Sequence, residues 1–207
     1  MRPWFRKAIA ASIDLLLPPA CLLCGQLLLP GSDPQAFCVA CQKTMLPLTT
    51  RCNRCAQPFP ASASSHLCGP CLKRPPVFSC VHVACTYQDG IKDAVHCLKY
   101  RNQVTMAQPL GELLIAAFSA AEGHFSPDLI VPVPLHPVRL RERGYNQALE
   151  VARPLARHLQ IPLEATLLQR VRKTPQQQGL SATERRSNLR NAFTSTAKIC
   201  ARKILLV

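Results

Sequence analysis

The apolar residues of this chain fall into blocks of helical and of extended spacing. Phe5, Ile9, Ile13 and Leu16 recur every three or four residues and predict an amphipathic helix over residues 4–17, stopped by Pro18-Pro19. Val77, Val81, Val83 and Tyr87 alternate in a β-branched pattern and predict a strand from Val77 to Tyr87. Asp89 then stands where an N-cap belongs, ahead of a helix whose apolar face includes Ile91, Val95 and Leu98. A second helix is expected from about Met106 to Ala121, and Leu129-Ile130-Val131-Pro132-Val133-Pro134 reads as a buried strand with a proline-stiffened exit. After a polar loop, a helix is predicted from about Tyr145 to Leu159 and a strand near 165–171. Lys173 to Gly179 reads as a polar loop. Ser181 and Glu184 form a capping-box pattern that opens another helix, and Lys203 to Val207 reads as a last buried strand. Strands alternating with helices indicate an α/β fold with a mostly parallel sheet.

Residues 20–75 break this pattern. They are rich in Pro, Ser and Ala, carry no long periodic segment, and hold eight of the twelve cysteines as four C-x-x-C pairs: Cys21/Cys24, Cys38/Cys41, Cys52/Cys55 and Cys68/Cys71. Four thiolates complete a tetrahedral zinc site, and each pair grips an ion from one side. In order, the pairs make two zinc-ribbon-like units in tandem, a weak internal repeat in which chelation substitutes for a core. Buried or disulfide-bonded thiols are the plainer reading, and the regular spacing favours metal over it. Closed four-cysteine sites are structural rather than catalytic, and about two zinc ions are expected. An interleaved pairing, first with third and second with fourth, stays open. Cys80, Cys85, Cys97 and Cys200 fit no pair and read as core thiols. His66, two residues before Cys68, could substitute for a ligand, but the cysteines already fill the sites.

Arg2, Arg6 and Lys7 ahead of the first apolar stretch resemble a secretory leader only superficially. Asp14 interrupts the run, and secretion would expose the thiols to oxidation, so a cytoplasmic location is expected. No segment is long and apolar enough to span a membrane.

Lys and Arg outnumber Asp and Glu by 25 to 11, a formal charge of +14. Two filled four-thiolate sites would bring this to about +10. Such a balance fits a phosphate-bearing partner, whether nucleic acid or a phosphorylated small molecule. One candidate contact is the run Arg139 to Gln147: three arginines, then Gly144, then amides at a helix start, just after a buried strand. Arginine forks and free N–H groups at a helix N-terminus suit phosphate oxygens, although an arginine run is more often a solvated loop. His136, in the same loop, reads as solvent-exposed or loop-bracing. The second candidate is Arg170 to Leu180, which alone reads as a mobile surface loop, with Arg185, Arg186 and Arg190 as the wet face of the next helix. Neither stretch interleaves aromatics with its charges, which weakens a single-stranded nucleic acid reading.

Taken together, the cysteine knuckles, Lys99-Tyr100, Val131-Pro132-Val133-Pro134-Leu135, the Arg141-Glu142-Arg143-Gly144-Tyr145-Asn146-Gln147 run, Thr174-x-x-Gln177-x-x-Leu180-Ser181, Arg185-x-x-Asn188 and Asn191-Ala192-Phe193 resemble the ComF family of competence-associated proteins. The resemblance spans nearly the whole chain. It implies an N-terminal helix over 1–19, a double zinc ribbon over 20–75 and a type I phosphoribosyltransferase-like domain over 76–207. By that analogy Arg139, Arg143, Gly144, Asn146 and Gln147 lie near the pyrophosphate end of phosphoribosyl pyrophosphate, and Lys99, Thr174 and Gln177 close over it. Mg2+ with that donor is implied for full-length relatives, as is a part in DNA uptake, with single-stranded DNA or competence-machinery proteins as further partners. Family members continue past the last strand into two adjacent acids and a Thr-Thr-Gly turn that cradle the donor. This chain stops at Val207, so the expectation for it is a domain incomplete at its C-terminus, without turnover.

Overall fold

The cysteine pairs fold as two copies of one small unit. In the first, a tight hairpin closes through the antiparallel bridge Ala20–Leu27 and is followed by helix α1, Val39–Lys43. In the second, the hairpin closes through Arg51–Pro58 and is followed by α2, Gly69–Lys73. The computed structural model describes residues 18–29, 37–121, 125–177, 179–197 and 202–207. The helix expected over 4–17 and Cys200 lie outside these.

The strand expected over Val77–Tyr87 does not form. Val77 is fully exposed, and this stretch touches a neighbouring strand only at the isolated bridge Pro47–Cys85. Alternation alone cannot make a strand without an edge to pair with. Helix α3 follows at Asp89–Tyr100, with Gln88 rather than Asp89 as its N-cap; Asp89 is the first helical residue, at a left-handed φ of 44°. Its inner face buries Ile91, Ala94, Cys97 and Leu98. A 3-10 turn at Val104–Met106 leads into α4, Ala107–Ser119.

Strand β1, Leu129–Val131, is buried throughout. It pairs in parallel with β4, Ile204–Leu206, in the register Leu129–Ile204, Ile130–Leu205 and Val131–Leu206. On its other side Ile130 bridges in parallel to Leu163, so β1 is the central strand. The segment after β1, read from sequence as a loop, contains a helix, α5, at Pro137–Arg143. Pro137 stands where a missing N–H costs nothing, and the His136 ring accepts from the Val138 N–H as N-cap. Helix α6, Gln147–Leu159, packs Ala152, Leu155 and Ala156 beneath Ile130 and lies along α4. Strand β2, Leu168–Arg170, pairs antiparallel with β3, Phe193–Ser195. This hairpin stands apart from the parallel sheet and carries α7, Ala182–Leu189, on its long connection. The capping box at Ser181 and Glu184 is complete.

The largest core cluster is shared between units. Cys21, Phe37, Cys38 and Met45 of the first ribbon pack with Ile91, Ala94, Cys97 and Leu98 of α3 and with Met106, Ala107 and Leu110. Gly90 makes that seam possible, since a Cβ there would lie 2.3 Å from Thr44 Oγ1. The second ribbon has a cluster of its own residues only: Cys52, Cys68 and Cys71 with Cys55, Phe59 and Leu67.

Candidate metal centres and anion cleft

The eight paired cysteines form two clusters in sequence order. Cys21, Cys24, Cys38 and Cys41 make one, and Cys52, Cys55, Cys68 and Cys71 the other, with the sulfurs of each within 4.8 Å of one another. The interleaved pairing is therefore excluded. None of the eight is in a disulfide. The shortest contacts, Cys24 to Cys38 and Cys55 to Cys68, are both 3.6 Å between sulfurs. Four sulfurs about 2.3 Å from a tetrahedral zinc sit about 3.8 Å apart, so the donor set fits the ion in chemistry and spacing.

Both clusters hold their first sulfur the same way. Burial opposes ionisation of Cys21, but N–H groups of Cys38, Cys24 and Leu23 outweigh it and bring the thiol down to about 6. Cys52 is likewise opposed by burial yet brought to about 6 by N–H groups of Cys55, Cys68 and Arg54. The Cys68 N–H lies 3.3 Å from the Cys52 sulfur. The last cysteine of each cluster resists ionisation: burial and neighbouring sulfurs push Cys41 far up and Cys71 up to about 12. Four thiolates at this spacing need a cation among them. His66 is not a ligand. Its ring stacks on Phe59 at 4.3 Å, and its Nδ1 lies 2.8 Å from the Ser64 carbonyl. Of the unpaired thiols, Cys97 is buried in the main core. Cys85 is half-buried, which pushes it up, and Cys80 lies 3.4 Å from His82 Nε2.

The second feature is a cleft of about 1100 Å³ on the far side of α3. Helix α3 contributes Lys92 and Lys99, with Arg101 just beyond it; α5 contributes Arg139 and Arg143; the β2–β3 hairpin contributes Arg170 and Lys173. Among the described residues, the only lining acid is Asp93. The two basic stretches, separated in sequence by residues 148–169, therefore meet in one cleft, which Thr174 and Gln177 also line. The cations suppress one another. Lys99 is held below the usual lysine range by desolvation and by Arg143, and Arg170 below its usual range by desolvation and then by Arg139 and Arg172. Arg170 donates to the Thr174 hydroxyl and lies 5.5 Å over the Phe193 ring, yet its buried Nε has no hydrogen-bond partner.

Of the residues that the family resemblance assigns to this site, Lys99, Arg139, Arg143, Thr174 and Gln177 line the cleft, whereas Gly144, Asn146 and Gln147 do not. Those three build the bracket behind it. Gly144 ends α5 in a left-handed turn, φ 79°. Asn146 caps α6 through the Ala148 N–H and donates to the Val133 carbonyl, tying the helix to the exit of β1. Gln147, buried, accepts from Arg143 Nη1 at 2.6 Å. Between them the Tyr145 hydroxyl donates to the Leu98 carbonyl of α3. The guanidinium of Arg143, thus held, lies 5.5 Å over the Tyr100 ring. Sequence reasoning missed the contribution of α3, and of Tyr87 just ahead of it, beyond Lys99. Tyr87, His96 and Tyr100 bring to the cleft the aromatic surface that the basic stretches lack.

Comparison with known proteins agrees with the cysteine reading and extends it. A family model described as a double zinc ribbon domain matches residues 12–72. The chain is 32% identical over 197 residues to the DNA utilization protein YhgH of Escherichia coli strain K12, covering 93% of this chain and 85% of that protein. It is 34% identical over 161 residues to Competence protein F of Haemophilus influenzae, covering 76% of this chain and 69% of that protein. It is 33% identical over 182 residues to YhgH of Salmonella typhimurium, covering 86% and 78%. No solved structure matches the chain.

Proposed function

Since the chain belongs to the ComF family, with Competence protein F and DNA utilization protein YhgH among its relatives, we propose that it is a zinc-stabilised binder of phosphoribosyl pyrophosphate that serves the uptake and use of DNA. The observation that carries this reading is the convergence of Lys99, Arg139, Arg143, Arg170 and Lys173 on one cleft whose lining, among the described residues, holds a single acid. Arg143 is fixed by Gln147 and by the Tyr100 ring, so little freedom is lost when it grips a phosphate. Guanidinium forks bind phosphate oxygens in pairs, and Arg139, Arg143 and Arg170 all line the cleft. Thr174 and Gln177, which line the cleft from the connection after β2, close over the ligand in this reading. The central parallel strand followed by the basic helix α5, with the separate β2–β3 hairpin, supports reading 76–207 as a phosphoribosyltransferase-like domain.

Each ribbon holds one structural zinc, through Cys21, Cys24, Cys38 and Cys41, and through Cys52, Cys55, Cys68 and Cys71. Magnesium would arrive with the diphosphate, because the ion favours substrate phosphates with one or two carboxylates and the cleft offers only Asp93. Calorimetric titration with phosphoribosyl pyrophosphate and Mg2+ tests the reading. The zinc-loaded protein binds, and Arg143→Ala weakens binding by about tenfold or more, the scale of a lost charge-assisted hydrogen bond. No binding in the presence of Mg2+ rejects it.

A second reading, a non-catalytic module for single-stranded DNA or for partner proteins, is favoured by the formal charge of +14 and by the DNA named in the relatives' descriptions. DNA binding would then fall steeply with salt as Lys and Arg release counterions. An affinity flat from low to high salt rejects it.

A further inference from the structure

Cys80 and His82 belong to neither ribbon cluster and do not line the cleft, and they meet each other: the Cys80 sulfur lies 3.4 Å from His82 Nε2. The sequence reads Cys80 as a core thiol, yet it is only half-buried, whereas Cys97 is 6% exposed. Among the described residues, no other unpaired cysteine has an imidazole within hydrogen-bond reach. We infer that Cys80 and His82 form a nucleophilic pair that exchanges with small disulfides, making Cys80 a site of S-thiolation.

An imidazole beside a thiol activates it by accepting its proton. With the ring proton on Nδ1, Nε2 accepts from Cys80. Only a neutral imidazole can do this, and the surroundings keep it neutral. The His82 ring lies 4.9 Å from that of Phe118 on α4, tilted by 50°, and 6.4 Å from that of Phe125. Burial first, and the Arg51 guanidinium of the second ribbon next, hold His82 below the usual histidine range. The exchange balances between the pair and the disulfide. The Cys80 proton passes to Nε2, and the sulfur attacks one sulfur of the disulfide. A new S–S bond forms at Cys80 as the old one breaks, and the departing thiolate takes the proton back from the imidazolium. Cys80 is oxidised and half of the disulfide is reduced, with no further reactant. Arg51 beside the pair and the formal charge of +14 favour a disulfide that carries carboxylates. The eight ribbon sulfurs do not compete for it once metal holds them.

The test is the rate of mixed-disulfide formation on the zinc-loaded full chain with oxidised glutathione, read cysteine by cysteine by mass spectrometry. At neutral pH Cys80 should react about tenfold faster than Cys85, the scale gained when a base draws out the thiolate. Cys85 is the fitting reference, since it is also half-buried and burial pushes it up. His82→Ala should remove the advantage at neutral pH. At about pH 9.5, where an ordinary thiol ionises unaided, Cys80 of the variant and of the wild type should react within about twofold of each other. Below neutrality the wild-type rate should hold until His82 takes up its own proton, while the variant's falls about tenfold per pH unit. Cys80 reacting no faster than Cys85 overturns the inference. So does a His82→Ala protein that is equally slow at neutral and alkaline pH, for the ring would then only keep the site open. Zinc loss in step with modification overturns it too, because the ribbon sulfurs would be the targets. An uncharged disulfide, bis(2-hydroxyethyl) disulfide, reacting at Cys80 as fast as oxidised glutathione overturns the preference for carboxylates.

Discussion

The two ribbons share one design and differ in what they are attached to. Cys21 and Cys52 open equivalent hairpins. Each accepts at its carbonyl the N–H of the residue after the second cysteine, Gly25 at 2.8 Å and Ala56 at 3.0 Å. Each donates its own N–H to a glutamine carbonyl, Gln26 or Gln57, at 2.8 Å. Gly25 and Ala56 adopt the same left-handed conformation, φ 75° and 58°. Yet the sulfurs of the first ribbon belong to the main hydrophobic cluster, and those of the second belong to a cluster of their own. Identical chelation thus has different consequences. The first ion ties down the inner face of α3, whose outer face lines the anion cleft, while the second ion ties down mainly its own loops. A metal site gains functional weight from its neighbours more than from its ligands.

The largest effect should separate the two ribbons. Cys38→Ser leaves the first ion with three thiolates and opens the shared core. A loss of about 4 kcal/mol lowers the main thermal transition by about 12 °C in a chain of this size. Cys68→Ser should move that transition by less than about 3 °C, losing zinc and local order only. Equal shifts in a differential scanning experiment contradict the distinction.

The seam offers a milder probe. Gly90→Ala places a Cβ 2.3 Å from Thr44 Oγ1 and forces the first ribbon off α3, at about 1–3 kcal/mol. Gly69→Ala, at the start of the second ribbon's helix, meets nothing within 4 Å and should be neutral on the same denaturation curve. Smaller again is the exchange at the hairpin tips. Ala56→Gly relieves a left-handed alanine and should stabilise the second ribbon by about 1 kcal/mol, and Gly25→Ala should cost the first about as much. Zinc retention against a graded chelator reads both.

Acid should not tell the ribbons apart. Cys21 and Cys52 are both depressed to about 6, so the fold favours their thiolates. For a depressed group the stabilisation is complete above the unfolded value near 9 and disappears as pH falls through the folded one. Protons and zinc compete for the same sulfurs, and both ions should leave together on acidification, at a pH below the range in which the metal-free thiols titrate. Release midpoints more than about one pH unit apart, followed with a zinc dye, would show that the clusters differ in electrostatics as well as in surroundings.

The sequence-level reading reached the ribbons because four sulfurs at fixed spacing admit few geometries. It could not choose sequential over interleaved pairing, which is set by the hairpins at Ala20–Leu27 and Arg51–Pro58. Helices with a strong apolar stripe were legible, as at Ile91 to Leu98, and so was the buried strand at Ile130. The strand expected over Val77–Tyr87 failed because alternation gives no partner. Helix α5 was hidden by a basic, proline-led sequence whose cap is an uncommon one, His136. At the cleft, Lys99, Arg143 and Thr174 were visible as types but their meeting was not, since it depends on packing α5 and the β2–β3 hairpin against α3. Gly144, Asn146 and Gln147, adjacent to Arg143 in sequence, turned inward to hold it. Adjacency in sequence therefore marked the site without distinguishing the group that faces the cleft from those that support it.

Hydrogen exchange during stepwise zinc removal addresses the central claim directly. Amides of α3, Asp89–Tyr100, should lose protection when the first ribbon releases its ion and stay protected when only the second does, as judged by the Cys68→Ser protein. Protection of α3 that is indifferent to the first ion, or that follows the second, would contradict the account.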